Sequence, residues 1–380
     1  MTGYRYVDTP AALDEVITSA RATPLVAVDT EAASFHRYVD RVYLIQLSTR
    51  DATAIIDPLA VADLAPLGAL LAAPGVEKVF HDADYDLRIL DRDYHVRARH
   101  VFDTRIAAQL LGEPAIGLAA LLEKYAGVRL AKTHQRADWS LRPLSAAMLA
   151  YAADDTRHLP ALRDALRARL EAAGRLAWAE EEFLQLEDLR WTGPSGADGG
   201  AAYQRIKGAK ALQPRQLAAL RELVAWRDTV AAEHDTALFR IIGNESLLAV
   251  SQALPRSVDV LGTVRGLPAS LARRYGPALV AAVGRAVALS DDALPRRERE
   301  PRMARDPDFD TRVERLKAAR NAVAQQLAID PGVLCGKATL EVIARARPRD
   351  RAALAQVGDL RRWQVEVLGE TLLNALASAV

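Results

Sequence analysis

The chain has 380 residues, half of them hydrophobic and 26% charged, with 50 Lys/Arg against 49 Asp/Glu, which is the composition of a globular protein with room for two or three domains. No apolar run approaches the roughly 20 residues of a membrane span, and the N-terminus has no charged start followed by an apolar core, so neither a span nor a signal peptide is expected. The single cysteine, Cys335, excludes an internal disulfide, and the expected compartment is a reducing cytoplasm.

Along the chain, Thr9-Pro10 reads as a helix start, and Leu25 to Asp29, Val42 to Thr49 and Thr53 to Asp57 read as strands with short connections. Asp29 and Glu31 follow the apolar run Leu25 to Val28. Alternate residues of a strand face the same way, so these two carboxylates point together, and at that distance they repel unless a cation lies between them. Helical patterns begin near Leu59 and are interrupted by a strand at Lys78 to His81. Asp86 then falls in the first turns of a helix. Ser145 starts another helix of good formers, in which Tyr151 and Asp155, four apart, share a face. Strands that meander and then alternate with helices imply an α/β sheet of mixed direction with flanking helices.

The run Thr192 to Gly200 is the clearest linker and ends the first domain near residue 190. Charge divides there. Residues 1–190 carry 22 Lys/Arg against 28 Asp/Glu, a net of −6, and the remainder carries 28 against 21, a net of +7. The C-terminal half is therefore the better holder of a polyanion. It also repeats itself at an offset of 93: Arg227 matches Arg320, Gly243 matches Gly336, Leu247 matches Leu340, Pro255 matches Pro348 and Leu261 matches Leu354. Two copies of one helical module are the simplest reading. Arg221, Arg227, Arg240, Arg256, Arg265, Arg273 and Arg274 give the first copy a basic surface in this reading; Trp363 is placed in the core of the second. Arg296, Arg297, Arg299, Arg302 and Arg305 stand in the segment between the copies.

The set Asp29/Glu31, Asp86 and Tyr151/Asp155, in that order and spacing, resembles the three motifs of the DEDD exonuclease superfamily in its tyrosine variant, and within it the ribonuclease D family. The flanks agree: Asp29 to Tyr38, Leu44-Ile45-Gln46-Leu47-Ser48, Phe102-Asp103-Thr104, and His134-Gln135-Arg136-Ala137-Asp138-Trp139 leading through Arg142-Pro143-Leu144. His81 stands where the second motif often carries Asn. The resemblance implies a ribonuclease-H-like exonuclease domain at 1–190 and a linker at 191–210. Two all-α helical-bundle HRDC domains then follow at 211–291 and 308–380, joined by the basic segment 292–307.

It also implies two divalent ions, Mg²⁺ or Mn²⁺, which at about 3.5–4 Å apart activate water and stabilise the leaving oxygen of a phosphodiester. All-carboxylate donors suit those hard ions, whereas one cysteine and seven histidines offer no zinc spacing. Asp29 is assigned as the bridging ligand, Glu31 and Asp155 to the ion that activates water, and Asp86 to the other ion, largely through water. Tyr151 orients the attacking water, a phenol of pKa about 10 being a poor base.

Asp82 and Asp84 are rivals to Asp86, but the family's aromatic before the ligand, here Tyr85, selects Asp86. Asp154 is a rival to Asp155, which the spacing of four favours. Phe35, His36, Tyr38 and Tyr85 are candidates to contact terminal nucleotides, with packing as the competing reading for Phe35. Cys335 reads as a small core residue. The expected activity is a 3′→5′ exoribonuclease releasing nucleoside 5′-monophosphates from RNAs with single-stranded 3′ ends, tRNA precursors above all. The alternatives are a DNA 3′→5′ exonuclease and an inactive RNA-binding protein. No phosphate-binding loop is present, since Gly336-Lys337 lacks the upstream glycine and the Ser/Thr, so no nucleotide cofactor is expected.

Overall fold

The structure, a computed structural model, describes residues 3–131, 133–193, 202–295, 306–358 and 360–377. The glycine-rich run 194–201 and the linker arginines Arg296, Arg297, Arg299, Arg302 and Arg305 lie outside them. The chain forms two compact units: Met1–Ala32, Val42–Trp191 and Met303–Val380 make one, and Ala33–Arg41 and Thr192–Arg302 the other.

The first unit opens with β1 (Arg5–Val7), α1 (Pro10–Arg21), β2 (Leu25–Ala32), β3 (Val42–Ser48), β4 (Thr53–Ile56), α2 (Ala65–Ala72), β5 (Glu77–Phe80), α3 (Asp84–Tyr94) and β6 (Val101–Asp103). Next come α4 (Thr104–Leu110), α5 (Leu118–Ala126), α6 (Ala146–Arg157), α7 (Leu159–Ala172) and α8 (Leu176–Glu187). The six strands form one mixed sheet in the order β1-β4-β3-β2-β5-β6, in which β3 is antiparallel to β2 and β4 and the other pairs are parallel. Alternation along β2 divides the core: Val26 and Val28 face Leu13 and Ile17 of α1 and Leu67 and Leu71 of α2, while Leu25 and Ala27 face the helices from α4 to α8.

Two departures from the sequence reading bear on the site. β2 does not stop at Asp29 but runs through Glu31, because Asp29 pairs with Gln46 and Glu31 with Leu44 before the register shifts at Ala32. The first helix after β4 starts at Ala65 rather than near Leu59, since Asp57 holds the turn by accepting from the Leu59 N–H at 2.9 Å.

The second unit holds α9 (Pro214–Glu233), α10 (Leu238–Ile241), α11 (Asn244–Ala253), α12 (Val258–Gly262) and α13 (Ala269–Val287) around one apolar core. The loop 33–41 packs with it: the Asp235 carboxylate accepts from the Tyr38 N–H and pairs with Arg37, the Ala237 N–H donates to the His36 carbonyl, and Arg240 donates to the Phe35 carbonyl.

The last helices, α14 (Phe309–Leu327), α15 (Pro331–Leu334), α16 (Lys337–Ala346), α17 (Arg351–Ala355) and α18 (Arg362–Ala377), belong to the first unit. Leu316, Leu340, Ile343, Trp363 and Leu368 join Phe102, Leu110, Leu166 and Phe183 in one continuous core. At this join Gly112 takes φ +72°, and a Cβ there would lie 1.8 Å from the Ala328 carbonyl oxygen, so no other residue fits without backbone movement.

The offset of 93 is visible as one repeated bond. Arg227 on α9 donates to the carbonyl of Ile242, and Arg320 on α14 to that of Cys335, each capping the end of the short helix before the next glycine. Arg227 is consequently buried, 7% exposed, which removes it from the basic surface assigned to it from sequence. In each copy a backbone carbonyl accepts from the buried guanidinium and offsets part of the cost of burying it. Trp363 is buried as expected, but its covering partner is Trp178 of α8, outside its own module.

Candidate active site

β2 carries Asp29 and Glu31 on the sheet face that α6 covers. The position of α6 is fixed at its start by Ser145, whose hydroxyl accepts from the Met148 N–H at 3.2 Å. Further along, the Thr156 hydroxyl meets Ser48 of β3 at 2.7 Å. Asp155, the residue directly before Thr156, is thereby placed over β2. Asp29, Glu31 and Asp155 each offer a carboxylate oxygen, and these atoms lie within 4.8 Å of one another.

Three carboxylates in that space cannot all be ionised at ordinary cost. Burial, and then the neighbouring Asp155, raise the pKa of Asp29 to about 8. Burial and then Asp154 raise that of Asp155 to about 7. Glu31 is pushed well above the carboxylate range by burial and by Asp29, Asp155 and Asp86. Such a site is poised for a cation.

Asp86 enters from another element. It lies in the first turn of α3, 6% exposed, accepts a hydrogen bond from the Thr30 hydroxyl, and is raised by burial and then by the charge of Asp29. Its rivals have partners elsewhere: Asp82 pairs with Arg105, and Asp84 with Arg88 at 2.8 Å. Asp154 likewise pairs with Arg157 at 2.9 Å.

Tyr151 stands one turn before Asp155 and donates its hydroxyl to that carboxylate. Burial first, and then the charges of Asp155, Glu31 and Asp29, push the phenol far above its ordinary value. Its ring is held by His134 and Trp139, with centroids at 5.8 and 6.1 Å. Trp139 is itself fixed by Arg142, which accepts nothing and donates to the Trp139 and Tyr43 carbonyls and, by two nitrogens, to Asp57 at 2.6 and 2.8 Å. Burial acting alone would raise Asp57, but the hydrogen bonds from Arg142 and Tyr6 outweigh it and hold the carboxyl below its usual range.

Of the residues expected to contact substrate, Tyr85 is exposed on α3, directly before Asp86. Phe35, His36 and Tyr38 lie on the loop that packs in the second unit, with Phe35 and Tyr38 exposed.

Sequence reasoning gave no role to three supports. Asp103 caps α4 by accepting from the Arg105 and Ile106 N–H groups and also accepts from Ala83 N–H at 2.7 Å, tying the start of α3 to the end of β6. His81 bonds the Thr104 hydroxyl at 2.9 Å, and burial lowers its pKa to about 4, so the imidazole is neutral. Gln46, directly opposite Asp29 and fully buried, has neither amide atom bonded among the described residues. Its position inside a quoted motif was the available signal. An amide orphaned beside a carboxylate cluster is the arrangement expected where ordered water or an ion completes the bonding.

Residues 4–171 match the 3′-5′ exonuclease family, and residues 216–283 and 310–376 each match the HRDC domain. Ribonuclease D of Gluconacetobacter diazotrophicus is 33% identical over 373 residues, covering 97% of this chain and 91% of that protein. Ribonuclease D of Escherichia coli is 34% identical over 293 residues, 77% of each chain. The crystal structure of Escherichia coli RNase D, an exoribonuclease involved in structured RNA processing, superposes with a TM-score of 0.73 at 29% identity and covers 99% of both chains.

Proposed function

The chain belongs to the ribonuclease D family of 3′→5′ exoribonucleases, and we propose that it works from single-stranded 3′ ends, releasing nucleoside 5′-monophosphates, with tRNA precursors as its main substrates. Neither a DNA exonuclease nor an inactive RNA-binding protein is favoured by these relatives. The observation that carries the reading is the convergence of Asp29, Glu31 and Asp155 within 4.8 Å, under a tyrosine hydroxyl bonded to Asp155.

The donor set fits two hard divalent ions, Mg²⁺ or Mn²⁺. Asp29, Glu31 and Asp155 would hold them, with Asp86 as the outlying ligand. When bound, the ions supply acidified water and charge stabilisation at the leaving oxygen.

The protein's own residues do the rest. Tyr151 stays protonated at neutral pH, and because its proton is engaged by Asp155, its oxygen lone pairs are left to accept from the attacking water. Thr30 and Asp103 keep α3 and Asp86 in place. Tyr85 is our candidate on the nuclease unit to contact a terminal nucleotide, and Phe35, His36 and Tyr38 are candidates to meet the RNA strand by stacking and polar contact, a sequence-tolerant mode that suits an enzyme processing along a strand.

No helix among the described residues is long and apolar enough to cross a membrane. Cys335 is a buried free thiol, which fits the reducing cytoplasm in which we place the enzyme.

The test is a time course of the purified full chain on matched RNA and DNA oligomers labelled at the 5′ end, with Mg²⁺, Mn²⁺ or EDTA. Stepwise shortening of RNA that EDTA abolishes is expected. Equal or faster loss of DNA overturns the assignment.

A further inference from the structure

The second unit exposes an aromatic pair for which its own packing gives no reason. Phe239 stands on the one-turn helix α10 with 55% of its surface in solvent, although Ile241 on the same helix is buried in the core. Its neighbour is Phe35, itself 43% exposed, with ring centroids 6.1 Å apart and planes at 75°. Both rings are about half exposed, which forgoes part of the gain that burying them would bring.

The backbone beneath the rings is fixed. The Phe35 carbonyl accepts from Arg240, the His36 carbonyl from Ala237 N–H at 3.3 Å, and the Tyr38 N–H donates to Asp235 at 3.2 Å. The rings are thus presented on a loop that α10 and the end of α9 have already ordered, and little conformational freedom remains to be lost on binding. Arg240 also reaches the His36 ring at 3.1 Å, so a cation stands next in the chain to Phe239 and against the backbone of Phe35.

We propose that Phe239 and Phe35 together form a stacking site for an unpaired base of a single RNA strand, with Arg240 supplying positive charge beside it. This rests on the exoribonuclease reading and extends it to the first helical module. The chemistry favours RNA over a protein partner. Charged groups stand on the same segments as the rings, Arg37 paired with Asp235 and Arg240 beside His36, and aromatic rings accompanied by arginine are what binds single strands without regard to sequence.

The experiment uses the full chain carrying Asp29→Asn, so that RNA is bound without being degraded, and a fluorescent single-stranded RNA octamer. Phe239→Ala is expected to weaken binding by roughly 5- to 150-fold, the range of one lost base stack, and Phe239→Trp to retain it. A second arm replaces the octamer's nucleotides one at a time by abasic ribose. At the stacked position, the alanine variant and its parent should bind equally. Binding by Phe239→Ala within twofold of its parent on intact RNA, or an equal loss at every abasic position, overturns the proposal. Because Phe239 is exposed, a thermal melt matching the parent's confirms that the variant folds. The binding arms report on stacking whether or not the parent hydrolyses RNA, so failure of the activity is read separately from failure of the site.

Discussion

Trp178 on α8 and Trp363 on α18 lie face to face, with centroids 4.9 Å apart and planes inclined by 15°, and the Trp363 indole N–H donates to Glu182 at 2.9 Å. Glu181 accepts from the backbone N–H groups of Arg362 and Trp363, so a single turn of α8 holds the start of α18. The second helical module is therefore a wall of the nuclease core. Trp363→Ala should cost about 3–5 kcal/mol, read as a lowered urea midpoint. A chain ended at residue 190 is expected to aggregate, because α4, α7 and α8 lose their cover. A monomeric truncation with the parent's melting temperature would show the join to be dispensable.

Asp29→Asn should abolish hydrolysis while the fold persists. The variant keeps the volume and the strand pairing to Gln46 and, above about pH 8 where Asp29 is ionised, removes one of three crowded negative charges. Without metal it should melt higher than the parent, by roughly 2–4 °C for each kcal/mol of relieved repulsion. Activity within tenfold of the parent would dismiss Asp29 as a ligand.

Tyr151→Phe keeps the ring between His134 and Trp139 and deletes the hydroxyl. Turnover is expected to fall by about one to three orders of magnitude with RNA affinity unchanged. Single-turnover rates separate the two, and an unaltered rate constant assigns the tyrosine to packing alone.

The metal-free protein should lose stability as pH rises from about 6.5 to about 8. Asp29 and Asp155 titrate at about 8 and about 7 in the fold against 3.8 unfolded, so their contribution is complete below pH 4 and is lost as pH rises through the folded values. Below about 6.5 the neutral His81 works the other way, since its pKa is lowered to about 4 and stability increases as the unfolded imidazole loses its proton. Above about 8 buried Lys78 does the same. Melting temperatures across this window should fall in the parent and flatten in Asp29→Asn, and added Mg²⁺ or Mn²⁺ should restore the loss. A parent profile that rises through the window contradicts the proposed coupling.

What the sequence disclosed, and what it withheld, follows from which interactions are local. The cap at Ser145, the helix start at Thr9-Pro10 and the i,i+4 pair Tyr151/Asp155 depend on neighbours in the chain, and the structure places them as read. β1 and β6, three residues each, are too short to show a period and exist because β4 and β5 pair with them. Arg227 reads as surface charge because the carbonyl that accepts from it is fifteen residues away. The partner of Trp363 lies in another domain's helix, and no pattern within the second module points to it.

The 93-residue duplication has a consequence for how the two copies tolerate change. Both keep the same internal arginine clasp, so substitutions at Arg227 and Arg320 should be equally damaging. Their outer faces answer to different constraints. In the second copy the surface that would ordinarily drift freely is packed against α8 and the Gly112 turn, and it must vary in step with the nuclease or not at all. A saturation library would then show two modules of one ancestry with unlike maps of permitted residues: the first copy permissive over most of its exterior, and the second restricted on the side where it has become part of the enzyme's interior.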